Sequence, residues 1–249
     1  MAAKNKFMNA MKMPAIADMF SSEADRQRES GDLVTEVPLS ELHPFVNHPF
    51  EVRDDEDMQK LVDSIKENGV LTNLTVRPRA EGGYEIISGH RRFHAAQLAG
   101  LDKIKVQVRN VDDDQAIIDM VDANIQREHI SPMEKARALK MKNEAMKRSA
   151  GRRKENGCQL DTHFPEAKTA TQIGADVGES PKQIFRYIRL NELIPELQKK
   201  VDSNTLKFNP AVELSYLTPD EQQSFLDYAE AQDCTPSLSQ AQKLKAASK

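Results

Sequence analysis

The 249-residue sequence contains no long apolar run and only two cysteines, Cys158 and Cys234. No stretch approaches the roughly 18 consecutive apolar residues of a membrane span, and the N-terminal stretch lacks the compact apolar core of a secretory signal. The two cysteines have no partner pattern, so neither a disulfide nor a zinc site is indicated. We therefore expect a soluble, cytoplasmic chain with no membrane partner.

The spacing of the six histidines in the sequence gives little indication of a metal site. His90 and His94 stand four residues apart on a predicted helix, but no third ligand of matching spacing is near them. Two ligands do not complete the four-ligand shell of a structural zinc. The sequence therefore predicts no structural metal.

The chain as a whole has no excess of positive charge, since its formal net charge is -4. The local distribution is different. Residues 134–155 carry nine lysines and arginines against three glutamates, and five aspartates lie between positions 112 and 122. A basic segment of this kind is either a solvated helix face or a surface that contacts phosphate.

The pattern of polarity divides the chain into four parts. Residues 1–32 are polar with weak periodicity, which predicts a flexible arm. Residues 33–130 alternate short strand-like and helical runs and are typical of an α+β domain. Residues 131–218 are helical throughout, and residues 219–249 form a helical tail.

The α+β part shows regular start and stop signals. Asp54 or Asp55 can cap a helix that Gly69 ends, and residues 81–83 give a hairpin turn between two β-like runs. The predicted strands are 34–37, 74–78, 84–87 and 104–108, and the predicted helices are 54–68, 91–99 and 115–125.

A glycine-arginine turn is the most informative feature of this part. A strand-like run leads into Ser88-Gly89-His90-Arg91-Arg92, where the arginines open an alanine-rich helix. Backbone amides and guanidinium groups converge at such a helix N-terminus and favour an anion. The alternative is a pair of surface arginines that begin a helix.

The helical part begins with Ser131 as a cap and Pro132 in the first turn. The pattern predicts a helix over 132–148, a polar loop over 151–167, a short helix over 171–177 and a second helix over 181–191. The glycine turn at 178–180 gives the last two helices a helix-turn-helix pattern.

Polar and basic side chains on the second of these helices can reach base edges and phosphates in a major groove. Two amphipathic helices joined by a glycine turn also occur in helical bundles, so this alternative stays open. Lys207 and Asn209, in a predicted later loop, are weaker candidates for contact with DNA. The predicted DNA-binding residues are Gln172, Ser180, Lys182, Gln183, Arg186 and Arg189.

Four ordered motifs together resemble the ParB family of DNA-partition proteins over roughly residues 35–220. They are residues 64–70, residues 89–95, residues 124–128 leading into 131–136, and the helix-turn-helix. The resemblance implies an α+β fold with a ParB-like N-terminal nucleotide-binding domain, followed by an all-α helix-turn-helix DNA-binding domain.

The family's function gives a set of further expectations. The resemblance implies a homodimeric clamp that uses CTP and magnesium, binds a palindromic centromere-like site in double-stranded DNA, and then slides along the duplex during chromosome or plasmid segregation. Such a protein is nucleoid-associated. The resemblance also implies that a ParA-type ATPase contacts the basic N-terminal arm, here through Lys4, Lys6 and Lys12.

Carried over residue by residue, the resemblance implies a nucleotide site around the glycine-arginine turn. Arginine forks and exposed amides suit a triphosphate. Asn124 is also the implied magnesium ligand. The implied nucleotide-binding residues are Thr72 and Asn73 beside the base, Ser88, Gly89, His90, Arg91 and Arg92 around the triphosphate, and Asn124 and Arg127 on the later motif.

Several positions depart from the family pattern. His90 and Ala123 each stand where the family usually has glutamate, and His48 follows Asn47 where the family has a Pro-Arg pair. Magnesium prefers carboxylate oxygen, and Asp122 points about 100° away from Ala123 on a helix. We therefore expect CTP binding with slow or absent hydrolysis.

The tail after residue 217 is shorter than the dimerisation domain that many ParB proteins carry. The sequence therefore leaves two alternatives, dimerisation through nucleotide-dependent contacts alone or a shortened chain.

Two other functions compete with this interpretation. One is a helix-turn-helix transcriptional regulator with a degenerate nucleotide site. The other is a phosphate enzyme on the same fold. A sulfiredoxin-like reductase needs a cysteine in the turn, where this chain has His90, and a nuclease would have to use Asp112 to Asp114 as metal ligands.

Overall fold

The computed structural model describes residues 33–127, 130–155, 165–232 and 234–248. Lys4, Lys6 and Lys12, proposed for a partner ATPase, lie outside the described residues. The flexible arm predicted over 1–32 lies outside them as well. No helix in the described ranges is long and apolar enough to cross a bilayer.

A mixed five-stranded sheet forms the first part of the fold. The strand order is β1-β5-β3-β4-β2, with antiparallel β1/β5 and β3/β4 pairs and parallel β5/β3 and β4/β2 pairs. Its apolar side chains pack in a core with Phe93. The strands are β1 (Leu33–Pro38), β2 (Leu42–His43), β3 (Leu74–Pro78), β4 (Tyr84–Ser88) and β5 (Lys103–Val108).

Three helices pack around this sheet, each with an identifiable start. The Asp55 carboxylate accepts a hydrogen bond from Met58 N at 2.8 Å, and the Asp112 carboxylate accepts one from Gln115 N at 2.8 Å. These are side-chain N-caps. The helices are α1 (Glu56–Asn68), α2 (His90–Leu98) and α3 (Asp113–Asp122).

The remainder of the described chain is helical. Proline in the first turn and a serine or threonine cap recur at these helix starts, as at Ser180 and Thr218. The helices are α4 (Pro132–Glu155), α5 (Pro165–Val177), α6 (Pro181–Arg189), α7 (Pro195–Asp202), α8 (Phe208–Leu214), α9 (Pro219–Ala231) and α10 (Leu238–Ala247).

One hydrophobic core joins the two parts. Phe45, Phe50 and Ile87 from the sheet region pack with buried side chains of α3, α4, α5 and α6. A second core lies among the later helices and includes Met133, Leu190 and Leu214. The helix-turn-helix is therefore packed directly against the α+β part.

Several predicted boundaries are wrong. Helix α3 ends at Asp122 rather than at residue 125, so Asn124 lies in a turn. Helix α4 continues to Glu155, and α5 begins at Pro165, so residues 151–155 and 165–167 of the loop predicted over 151–167 are helical. Asn209, which was predicted in a loop, is inside helix α8, whereas Lys207 lies immediately before that helix. Tertiary packing extends or stops these helices where local propensity alone does not.

Candidate functional site

The turn between β4 and α2 requires glycine at position 89. Gly89 has φ 103° and ψ 22°, a left-handed conformation that an L side chain rarely adopts. A Cβ atom there would lie 2.8 Å from Leu74 Cγ and 3.3 Å from Arg92 Nη2. The absence of a side chain therefore lets the helix start approach the end of the sheet closely.

Arg92 holds the loop that the sequence assigns to the nucleotide base. Its Nη1 donates hydrogen bonds to Thr72 O at 2.5 Å and to Asn73 O at 2.9 Å. The structure thus brings these three predicted residues together. Arg92 therefore uses a single nitrogen, Nη1, to hold the loop that contains Thr72 and Asn73.

Arg127 lies near the same cluster, although it comes from the chain after α3. Its guanidinium is 5.9 Å from the centre of the Phe50 ring. Burial lowers the pKa of both Arg92 and Arg127, and the neighbouring Arg91 lowers the pKa of Arg127 further. Like charges held together in partial burial favour an anion that would neutralise them.

A cleft of about 430 Å³ opens beside these arginines. Arg91 lies on its wall and reaches Asp55 Oδ1 with Nη2 at 3.4 Å, a weak contact. Glu134 is already engaged, because it accepts hydrogen bonds from Glu51 N and Ser131 N, both at 2.9 Å. The residues around the cleft are Phe50, Glu51, Arg53, Asp55, Asp57, Arg91, Arg127, Ile130 and Glu134.

The side chain of His90 is directed away from solvent. It is only 5% exposed, and its Nε2 accepts a hydrogen bond from Phe45 N at 3.3 Å. Its ring lies against that of His48, with the two centroids 3.8 Å apart. The predicted contact between His90 and a nucleotide would therefore have to come from the His90 backbone at the helix start.

Asn124 and its neighbours give a poor donor set for magnesium. Asn124 is 2% exposed, and its Nδ2 donates to Met120 O at 2.7 Å. The Asp122 carboxylate pairs with Lys142 at 2.6 Å, so it does not replace the carboxylate missing at Ala123. Among the described residues, no three His, Cys, Asp or Glu side chains form a metal-holding group.

Close packing shapes the turn of the helix-turn-helix. A Cβ atom at Gly174 on α5 would lie 2.4 Å from the carbonyl oxygen of Glu179. Glu179 N also donates to Gly174 O at 2.8 Å. Ser180 then accepts a hydrogen bond from Gln183 N and caps α6. The predicted turn is thus fixed by contacts across it.

The predicted DNA-contacting residues have different surroundings. Gln172 and Lys182 are exposed. Arg186 donates to Gln183 Oε1 at 3.0 Å and also to Asn209 Oδ1. These three polar residues form one cluster, which joins α6 to α8.

Arg189 and Lys207 lie at the edges of this surface. Arg189 donates to Ser215 O at 2.7 Å and stacks over the Tyr216 ring at 4.4 Å. Lys207 donates to Asn204 Oδ1 at 3.1 Å. Arg189 therefore braces α6 against α8 in this structure.

A buried residue that sequence reasoning missed lies between α3 and the helix-turn-helix. Lys142 on α4 has a side chain only 1% exposed, and its Nζ contacts Asp122 at 2.6 Å and Asp176 at 2.7 Å. The sequence did contain a signal for this residue: position 142 lies on the same helical face as the apolar Leu139, yet it is a lysine. The ion pairs join the end of α3 to the first helix of the helix-turn-helix.

These features define a class of protein: an α+β domain with a cleft beside clustered arginines is joined to a helix-turn-helix. Residues 23–125 match the family model of the ParB N-terminal domain. This part of the chain belongs to the ParB N-terminal domain family. This finding confirms the resemblance and the α+β fold class inferred from the sequence.

Curated relatives agree with this assignment, and a solved structure shares the fold. The probable chromosome-partitioning protein ParB of Neisseria meningitidis serogroup A is 39% identical over 193 residues, 78% of this chain and 60% of the relative. The chain spans 58–64% of the length of the first curated relatives it matches. A Pnob8-like ParB N-domain structure covers 80% of this chain and 84% of its own, with TM-score 0.52 and 16% identity, and shares the fold.

A C-terminally truncated ParB from Caulobacter crescentus, complexed with CTP-gamma-S, is 26% identical to this chain. It covers 74% of this chain and 92% of its own, with a TM-score of 0.36.

Proposed function

We propose that this chain is a partition protein that binds CTP in the arginine-lined cleft and a palindromic DNA site through its helix-turn-helix. Two copies would close around the duplex as a sliding clamp during chromosome or plasmid segregation. The observation that carries this proposal is the convergence of Arg91, Arg92 and Arg127 beside the left-handed Gly89 turn. The match of residues 23–125 to the ParB N-terminal domain supports it.

Each side chain has a distinct part in this proposal. Arg91 has only a weak contact to Asp55, so its guanidinium is able to turn toward a phosphate. Arg127 supplies a second positive charge from the chain after α3. Arg92 holds Thr72 and Asn73, where the backbone would frame the base.

The residues present fit an anionic nucleotide better than a protein-bound magnesium ion. Magnesium usually takes one or two carboxylates together with phosphate oxygens and water. Asp122 is held by Lys142, and position 123 is alanine. Asn124 is the residue left to orient a phosphate-bound magnesium, and we therefore propose that hydrolysis is slow or absent.

Binding of labelled CTP to the full chain tests the nucleotide site. We expect the chain to retain labelled CTP in magnesium, and excess unlabelled CTP, but not ATP, GTP or UTP, to displace it. Arg92→Ala should bind CTP at least tenfold more weakly, since hydrogen bonds to charged groups are each worth about 1.5–3 kcal/mol. The matched control is Arg79→Ala, because Arg79 pairs with Glu81 on a surface hairpin. Equal binding by both variants would contradict the proposed site.

A helix-turn-helix regulator with a degenerate nucleotide site is the second candidate function. The diverted Asp122 carboxylate and the alanine at position 123 favour it. Under this alternative, CTP would neither bind nor change the affinity for DNA. Sequence-specific DNA binding that is indifferent to every nucleotide would select the regulator over the clamp.

Binding of a ParA-type ATPase is also part of this proposal. Lys4, Lys6 and Lys12 would contact a ParA-type ATPase from the N-terminal arm. Replacing all three with glutamate should abolish stimulation of that ATPase and leave binding of CTP and DNA unchanged.

A further inference from the structure

Phe185 is an exposed aromatic residue in the middle of α6. Its relative exposure is 40%, whereas the neighbouring Ile184 is fully buried. Tyr187 and Ile188 pack against the cores from the same side as Ile184. Phe185 is therefore apolar surface that the fold itself does not need to bury.

Positive and polar side chains surround Phe185 on the outer side of the helix. Lys182 lies three residues before it and Arg189 four residues after it, so all three share one helical face. The sequence of α6 contains no acidic residue. A surface that combines one large apolar group with cations is complementary to a duplex, whose grooves are lined by phosphates.

We propose that Phe185 reads the C5-methyl group of a thymine in the major groove. Thymine is the one base that presents a methyl group there, and apolar side chains such as phenylalanine recognise it by contact. Lys182 would hold the adjacent backbone phosphate. This inference rests on the proposed DNA binding through α6 and adds a sequence preference to it.

The chemistry of the surroundings favours DNA over an apolar protein partner. Such a partner would have to cover Lys182 and the nearby Arg186 as well as the ring, which leaves charges desolvated. In a major groove the same cations face phosphates. The aromatic ring then removes one methyl group from water.

The experiment compares thymine with uracil, which differ at this position only by the methyl group. The full chain first selects binding sites from random duplexes, and each thymine of the selected site is then replaced in turn by deoxyuridine. Affinities are measured by fluorescence anisotropy for wild type, Phe185→Ala and Phe185→Leu. Tyr228→Ala is the control, since Tyr228 on α9 is 64% exposed and lies off α6.

We expect one thymine at which loss of the methyl group weakens binding by wild type about fourfold, the equivalent of one buried methyl group. Phe185→Ala should bind thymine and uracil sites equally, Phe185→Leu should keep part of the preference, and Tyr228→Ala should keep all of it.

A wild-type protein that binds its selected site but ignores every uracil replacement would overturn the inference and leave the proposed function standing. A preference that persists in Phe185→Ala would overturn it as well. Failure to select any duplex would instead overturn the proposed DNA binding on which the inference rests.

Discussion

His48 and His90 both depart from the family pattern, and in the structure their rings pack against each other. The His48 Nδ1 lies 2.7 Å from Phe50 O, and His90 Nε2 accepts from Phe45 N. These contacts fix one nitrogen of each ring. His48 Nε2 and His90 Nδ1 are buried and have no hydrogen-bond partner within the described chain. Such a pair is compatible with neutral rings and opposes the uptake of a proton.

Stability should therefore fall in mild acid. Burial, with smaller contributions from His48 and Arg127, lowers the pKa of His90 from 6.5 to about 3, and burial also lowers the pKa of His48. Between pH 6.5 and about 3 the unfolded chain binds more protons than the folded chain, so the free energy of unfolding decreases as pH falls. The loss should be about 1.4 kcal/mol per pH unit for His90 within that window.

Urea unfolding of wild type and His90→Gln at pH 5, 6 and 7.5 measures this dependence. Glutamine can accept the Phe45 N–H without taking up a proton. The variant should show a shallower decrease between pH 6 and pH 5. Parallel pH profiles for the two proteins would show that His90 is not the group that responds.

At the scale of elements, the helix-turn-helix depends on one close approach between α5 and the turn that follows. Gly174 has ordinary helical geometry, but its missing side chain leaves room for the Glu179 carbonyl. The hydrogen bond from Glu179 N back to Gly174 O holds that approach. The angle between α5 and α6 is thus set by packing, and the orientation of the predicted DNA-contacting residues follows from it.

Gly174→Ala should open this turn. A Cβ atom 2.4 Å from a backbone oxygen forces a backbone shift, with a cost of about 1–3 kcal/mol, and should weaken DNA binding more than it weakens CTP binding. Thermal unfolding and anisotropy measure the two effects.

The matched control is Gly151→Ala, because a Cβ atom at Gly151 in α4 meets nothing within 4 Å. Alanine there should be neutral or stabilising by up to about 1 kcal/mol. Equal behaviour of the two variants would contradict the role assigned to the turn.

At the scale of the whole molecule, Lys142 joins parts of the chain that are far apart in sequence. It is buried between Asp122, which ends α3, and Asp176 on α5. Removal of the lysine would leave two carboxylates facing each other across a partly desolvated site. The shared hydrophobic core around Phe50 and Ile173 connects the same elements.

Lys142→Ala should lower the free energy of unfolding by about 3 kcal/mol. The control is Lys140→Ala, since Lys140 is 40% exposed and its 3.6 Å pair with Glu192 is at the surface, where such pairs contribute at most about 1 kcal/mol. Chemical denaturation monitored by circular dichroism gives both values. Similar losses in the two variants would argue against a structural role for the buried ion pairs.

The sequence by itself determined the local elements and the family. Capping at Asp55, the left-handed Gly89 turn and the period of apolar residues all act within a few positions of the chain. These signals therefore predicted β1, β3, β4 and β5, most helices and the helix-turn-helix. The tail predicted as helical over 219–249 contains the helices Pro219–Ala231 and Leu238–Ala247.

Only the tertiary structure decided which distant residues meet. The sequence marked His48 and His90 as separate departures from the family, and their stacking depends on how β4 packs against the loop after β2. The engagement of Arg92 with Thr72 and Asn73, and of Asp122 with Lys142, likewise joins residues about 20 positions apart. Such contacts depend on the packing of whole elements, which local periodicity does not encode.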